Sequence, residues 1–175
     1  MNLKRTLSLV LSLALALGLL AGCGQKNETP GGKTPEELAQ LYADAVNNCG
    51  SEMVQYNPVI SQYDPEANPD IDLLLEMLGL TAEDMSAFAL SVSMMNVKAY
   101  GIVLAMPAEG KEQTVLDALN GFVANQQTSF EHYLADQYEV AKAAKVETLA
   151  DGTVVMVMCE NSDQVYDAIT AALEG

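Results

Sequence analysis

The sequence predicts an α+β domain: a four-stranded antiparallel sheet made of two strand-strand-helix units, order 1-2-4-3, with helices packed on it and further helices preceding it. Three observations carry this. Between residues 87 and 106, apolar side chains recur at every second position in two runs separated by a turn, which is the period of a strand. Val115, Leu119, Phe122 and Val123 then follow a helical period. The same succession of strand, strand and helix recurs from Val140 to the end of the chain.

The first element lies well before that domain. Leu20-Ala21-Gly22-Cys23 closes an apolar run that follows Lys4 and Arg5, the pattern of a bacterial lipoprotein signal peptide. Small residues let the chain enter a signal peptidase extended, and the Cys23 thiol accepts the diacylglyceryl group; fatty acyl chains such as palmitate complete the anchor. A helix from Leu7 to Leu20 would span about 21 Å, short of the roughly 30 Å of a bilayer core. An ordinary secretory site would have no use for a thiol at the first mature position. The expected organisation is a signal peptide over 1–22, the lipidated cysteine and a flexible tether over 23–33, and a single α+β domain over 34–175. The tether, Gly24 to Lys33, is too poor in apolar groups to offset the entropy of ordering. This places the domain at the outer face of the cell membrane, held there through lipid.

Charge bounds the partners. The chain has eight basic and 24 acidic residues; two of the basic ones fall in the signal, which leaves six against 24, a net charge of −18. Such a surface is a poor match for nucleic acid, and it repels an anionic membrane. Beyond Cys23 only Cys49 and Cys159 remain. Two readings fit them: a disulfide in an oxidising compartment, or two buried thiols acting as small apolar groups.

The domain opens with a helix. Thr34 is placed to cap it, Pro35 suits its first turn, Glu37 completes a capping box, and Leu38, Leu41, Tyr42, Ala45 and Val46 form its stripe. Pro58, Pro65 and Pro69 keep residues 51–70 irregular, with Met53 to Ile60 as a short edge-strand candidate. A second helix runs from Asp70 as cap through Ile71, Leu74, Leu75 and Leu78 to Gly79, where Leu80 is placed to close a Schellman turn.

Phe88 to Met94 and Tyr100 to Met106 give the first two strands, turning near Asn96. A long helix follows, expected to restart around Ser129. Val140 to Leu149 and Thr153 to Cys159 give the third and fourth strands, joined at Asp151-Gly152, and a last helix is capped near Asn161 or Ser162. Strands two and four are apolar on both faces and so central, whereas Lys142 and Lys145 mark the third as an edge.

The block from Leu78 to Met85 running into the Phe88 to Ala105 hairpin, and Ser129-Phe130-Glu131 with Tyr133, Gln137 and Tyr138 before the last apolar strand, resemble the bacterial lipoprotein family known as domain of unknown function 4358. The resemblance spans about residues 71–174 and rests on packing and turn patterns. It implies a Gram-positive, membrane-anchored protein of uncharacterised function, and it supplies no catalytic residues.

No motif carries a reaction. Asp64, Glu66, Asn68, Asp70 and Asp72 place oxygen groups at every second position and are weak metal candidates; Pro69 and Leu75 stand where a calcium loop needs glycine and a bidentate glutamate. Met94, Met95, Met106, Met156 and Met158 with Cys159 and His132 are soft donors, though methionine in a sheet is usually core filling. No cofactor is expected. If Phe88, Leu90, Tyr100, Ile102 and Leu104 face the crossing helices, the other face carries Ala89, Ser91, Ser93, Gly101 and Val103 and is uncharged. It is then either covered by the N-terminal helices, through Leu38, Leu41, Tyr42, Leu74 and Leu78, or left as a partner face. The function expected is an extracytoplasmic binding module for a protein or small ligand. The alternative is an envelope hydrolase or transferase using carboxylates that the sequence does not single out.

Overall fold

The computed structural model describes residues 32–174. The expected signal peptide, Cys23 and all but the last two residues of the expected tether lie outside the described residues. Helix α1 (Pro35–Asn47) begins in the expected capping box: the Thr34 Oγ1 accepts the Glu37 N–H at 3.2 Å and Glu37 Oε2 accepts the Thr34 N–H at 2.8 Å. These bonds fix two of the donors that a helix N-terminus leaves unpaired. Helix α2 (Ile71–Leu78) ends as its sequence requires. Gly79 adopts a left-handed φ of 74° and the Leu80 N–H reaches back to the Leu75 carbonyl at 2.9 Å, closing a Schellman turn. Its start differs from expectation, because the Asp70 side chain makes no capping bond; the Asn68 carbonyl accepts the Ile71 N–H instead.

Strands β1 (Met85–Val92), β2 (Gly101–Pro107), β3 (Lys145–Thr148) and β4 (Val154–Met158) form one antiparallel sheet in the order β1-β2-β4-β3. Helix α3 (Glu112–Phe130) follows β2, and α5 (Ser162–Glu174) closes the chain. Between α3 and β3 the structure corrects the sequence reading. Residues expected to start the third strand belong to a helix, α4 (Ala135–Lys142). Strong helix formers fill that stretch, and Gln137 and Ala141, four apart, supply its buried side. The strand keeps only four residues. The edge strand expected within residues 53–60 likewise shrinks to a 3-10 turn (Glu52–Gln55) and a single bridge from Ile60 to Leu90.

The sheet has a core on each face. On one, Phe88, Leu90, Val103, Met156 and Met158 pack with Leu74 and Leu78 of α2 and with Val115, Leu119 and Phe122 of α3. On the other, Ala89, Ile102, Leu104, Val155 and Val157 pack with Leu38, Tyr42 and Val46 of α1 and with Val165 and Ile169 of α5. Two side-chain links tie layers together: the Tyr42 hydroxyl meets Thr153 Oγ1 at 2.6 Å, and Lys145 Nζ pairs with Asp163 at 2.8 Å. Among the described residues no helix is long and apolar enough to cross a membrane.

The candidate partner face is corrected in two ways. Leu90 pairs with Val103 and Ala89 with Leu104, and directly paired residues share a face. Val103 therefore belongs with Phe88 and Leu90, and Ile102 and Leu104 with Ala89, the reverse of the expected match between the two strands. Ala89 and Ser91 face the α1 side, whereas Gly101 and Val103 face α3, where a Cβ on Gly101 would come within 3.3 Å of Phe122. All five residues, Ser93 included, are buried. Both faces of the sheet are thus core. The N-terminal helices divide between them, α1 on one side and α2 on the other.

Candidate functional site

With both faces covered, a site has to lie at an edge or an end. The turn end of the β1–β2 hairpin concentrates what the fold leaves apolar and exposed. Seven large apolar side chains are exposed among the described residues; Met94, Met95 and Val97 sit in this turn and Tyr56 lies across from it. Tyr56, Met94 and Met95 line a cleft of about 360 Å³ whose walls are Asn57, Pro58 and Ile60, the segment from Ala67 to Asp70 with Leu74 of α2, and Leu90 and Val92 of β1. Local sequence explains its shape. Pro58 and Pro69 hold the two irregular segments out of regular pairing, and the Asp64 carboxylate folds the acidic loop by accepting the Glu66 and Ala67 N–H groups at 3.0 and 3.1 Å. The floor is fixed from beneath, where Ser91 Oγ donates to the Asn57 carbonyl and meets the Tyr100 hydroxyl at 2.9 Å. Among the described residues, Asp70 is the one carboxylate lining the cleft.

Two of the weak metal candidates, Asp64 and Asp72, have other occupations. Asp64 serves its own loop, and Asp72 accepts the Tyr63 hydroxyl at 2.8 Å, along an open groove of about 830 Å³ that also carries Glu76 and Glu83. Among the described residues no three histidine, cysteine or acidic side chains gather as a metal site. The soft donors are scattered. Met94 and Met95 are at the hairpin tip, Met156 and Met158 are under α3, Met106 and Cys159 are on the opposite core face, and His132 is exposed after α3, 3.6 Å from Glu131.

A third cavity, of about 500 Å³, brings Cys49, Ser51 and Glu52 beside Lys98 and Glu160. A thiol there is a poor nucleophile, since only the thiolate attacks. Burial pushes the Cys49 thiol above its ordinary range and pushes Cys159 up to about 12. Both cysteines are buried free thiols in the structure. Nor is Lys98 available as an unpaired cation, lying 3.8 Å from Glu160. The apolar hairpin-end cleft was not legible in the sequence, although its Met94-Met95 pair just past a strand was the available signal.

One comparison returns a family. A family model described as Domain of unknown function (DUF4358) matches residues 60–159, a stretch that starts at the Ile60 bridge and includes the whole sheet. No curated protein and no solved structure matches the chain.

Proposed function

The chain belongs to the DUF4358 family, and from that premise we propose that it is a lipid-anchored, non-catalytic module at the outer face of the cell membrane, binding a protein partner or small ligand in the hairpin-end cleft. The observation that carries the binding reading is the concentration of exposed Tyr56, Met94 and Met95 around one concavity. Apolar groups left in water at a concave site are stabilised by a ligand that covers them. Methionine suits this work, because its flexible thioether adapts to different apolar surfaces. The anchor reading is supported by Leu20-Ala21-Gly22-Cys23 behind an apolar run. An envelope hydrolase or transferase would need carboxylates convergent on a substrate, and among the described residues this cleft offers Asp70 alone.

Two measurements test the proposal. Cys23→Ala should abolish labelling by a fatty-acid probe and leave uncleaved precursor; unchanged labelling refutes the anchor. A photo-crosslinking residue at Met95 should give a discrete adduct in intact cells that Met94→Glu suppresses. The same residue at Thr148, exposed on the opposite edge strand, should not. Equal adducts at both positions refute the cleft as the binding site.

A further inference from the structure

Resting on the binding-module reading, we propose that the cleft takes an extended peptide carrying basic residues, a segment of another protein, which adds to the β1 edge at Val92 as a short strand. The first argument is parity. Ser93 donates its N–H to the Tyr100 carbonyl across the hairpin, so odd-numbered residues of β1 aim their backbone groups at β2 and even-numbered ones aim theirs away from the sheet. Leu90 demonstrates this, giving its N–H to Ile60 at 2.8 Å and accepting the Ile60 N–H at 2.9 Å. Val92 is the next such position. It is only 6% exposed, and no loop or side-chain group among the described residues bonds its N–H or C=O. A buried backbone pair without partners is costly, and an edge strand with open groups is a template for another strand.

The chain itself leaves that position unbonded. Antiparallel pairing of Ile60 with Leu90 sets residue 58 opposite Val92, and residue 58 is a proline with no N–H to give. The cleft opens at this register: from β1 and its continuation it is lined by Leu90, Val92, Met94 and Met95, with Pro58 on its far wall, and not by Ser91 or Ser93. A peptide strand here would meet Val92 with its backbone and Met94, Met95 and Tyr56 with its apolar side chains, the mode of β-strand addition.

Charge selects the peptide. The Asp70 carboxylate lines the cleft and makes no capping bond, with exposed Asp64 and Glu66 in the same loop. Lys98, Lys111, Lys142 and Lys145 each pair with another carboxylate, and the whole chain is at −16. A cationic segment is attracted and an acidic one repelled. A second copy of this strongly acidic chain is disfavoured for the same reason.

The test uses the full chain in non-ionic detergent, with labelled methionine methyl groups followed by NMR, and four probes. These are acetyl-Lys-Val-Lys-Val-Lys-Val-amide, its alternately N-methylated form, its glutamate counterpart, and indole. The lysine peptide should shift the Met94 and Met95 methyls saturably. Loss of the N–H that would be given to the Val92 carbonyl, together with the bulk of a methyl group at the pairing edge, should weaken the N-methylated form by about tenfold or more, the glutamate form should bind more weakly still, and Asp70→Asn should reduce affinity for the lysine peptide by about threefold or more. If indole shifts those methyls and the lysine peptide does not, or if N-methylation makes no difference, strand addition is overturned and the binding cleft stands. If neither indole nor any peptide shifts them, the cleft reading falls as well. Self-association that protects the same methyls at high protein concentration would replace the peptide with a second copy and overturn the proposal.

Discussion

The link between Tyr42 and Thr153 gives the sharpest stability test, because its proton inventory can be worked out. Thr153 Oγ1 has a single proton and donates it to Asp151 Oδ2 at 2.9 Å, so at 2.6 Å from the Tyr42 hydroxyl it acts as acceptor. The Tyr42 ring is wholly buried under α1 and Thr153 is equally buried at the start of β4, which makes this bond the polar tie between the first helix and the β3–β4 hairpin. Tyr42→Phe removes one donor and leaves the threonine bonded to Asp151, costing about 1 kcal/mol. Thr153→Val strands the buried phenol without an acceptor and strips one bond from Asp151, whose Oδ1 keeps the residue 153 N–H; about 2–4 kcal/mol is expected. With both substitutions the orphaned phenol is gone, so the pair should cost about 1–2 kcal/mol less than the sum of the singles. Urea unfolding of the chain from Gly24 onward, followed by far-UV circular dichroism, measures all four corners of the cycle. Additive losses, or a Thr153→Val loss no larger than that of Tyr42→Phe, would refute the assignment of the phenol as donor.

Two further outcomes are expected. The Asp84 carboxyl is held below the ordinary carboxylate range, chiefly by the Lys111 ammonium at 2.9 Å and then by Thr81; between its folded and unfolded values the unfolded chain binds the extra proton, so this stability is present above about pH 4 and is lost as pH falls through the folded value. Asp84→Asn should therefore lower the unfolding free energy by about 1–3 kcal/mol at pH 7 and flatten its dependence on pH below about pH 5, and parallel pH profiles for parent and variant would count against the ion pair. Gly101→Ala adds a methyl 3.0 Å from Met156 Cε and 3.3 Å from Phe122 Cε1; the crowding outweighs the loss of unfolded-state freedom and costs about 1 kcal/mol net, with partial recovery in Phe122→Leu, whereas a raised denaturation midpoint would disprove the close approach.

What the sequence made legible divides along a physical line. Sheet order was readable because polarity differs by position: β2 and β4 are apolar on both faces, and the third strand carries Lys145 and Glu147, which pair outward with Asp163 and Tyr166. Caps were readable because they are local, as at Thr34 with Glu37 and at Gly79 with Leu80. The match of faces between β1 and β2 was not. A strand apolar on both sides has no alternation by which to choose its register; the choice falls to the eight-residue connection from 93 to 100, closed by the bond from the Ser93 N–H to the Tyr100 carbonyl. For α4 the failure was of another kind. Val140 and Val146 suggested one strand, and the alanines between them, together with the Gln137 bond to the Ala99 N–H, place a helix end there instead.

The cleft depends on that unreadable register. Strand parity is set at the Ser93–Tyr100 pair, and parity alone decides that Leu90 and Val92 aim their backbone groups away from β2 while Ser91 aims its own at the neighbouring strand. A one-residue slip would send the Val92 groups into the sheet and turn the buried Ser91 hydroxyl, which anchors the Asn57 carbonyl, to the opposite face. The segment from Asn57 to Ile60 would then lose both of its attachments to β1, the Ser91 bond and the Leu90 bridge. One wall of the cleft and its open edge therefore stand or fall with a single pairing, and a site of this kind leaves no motif in the sequence because its chemistry belongs to the backbone.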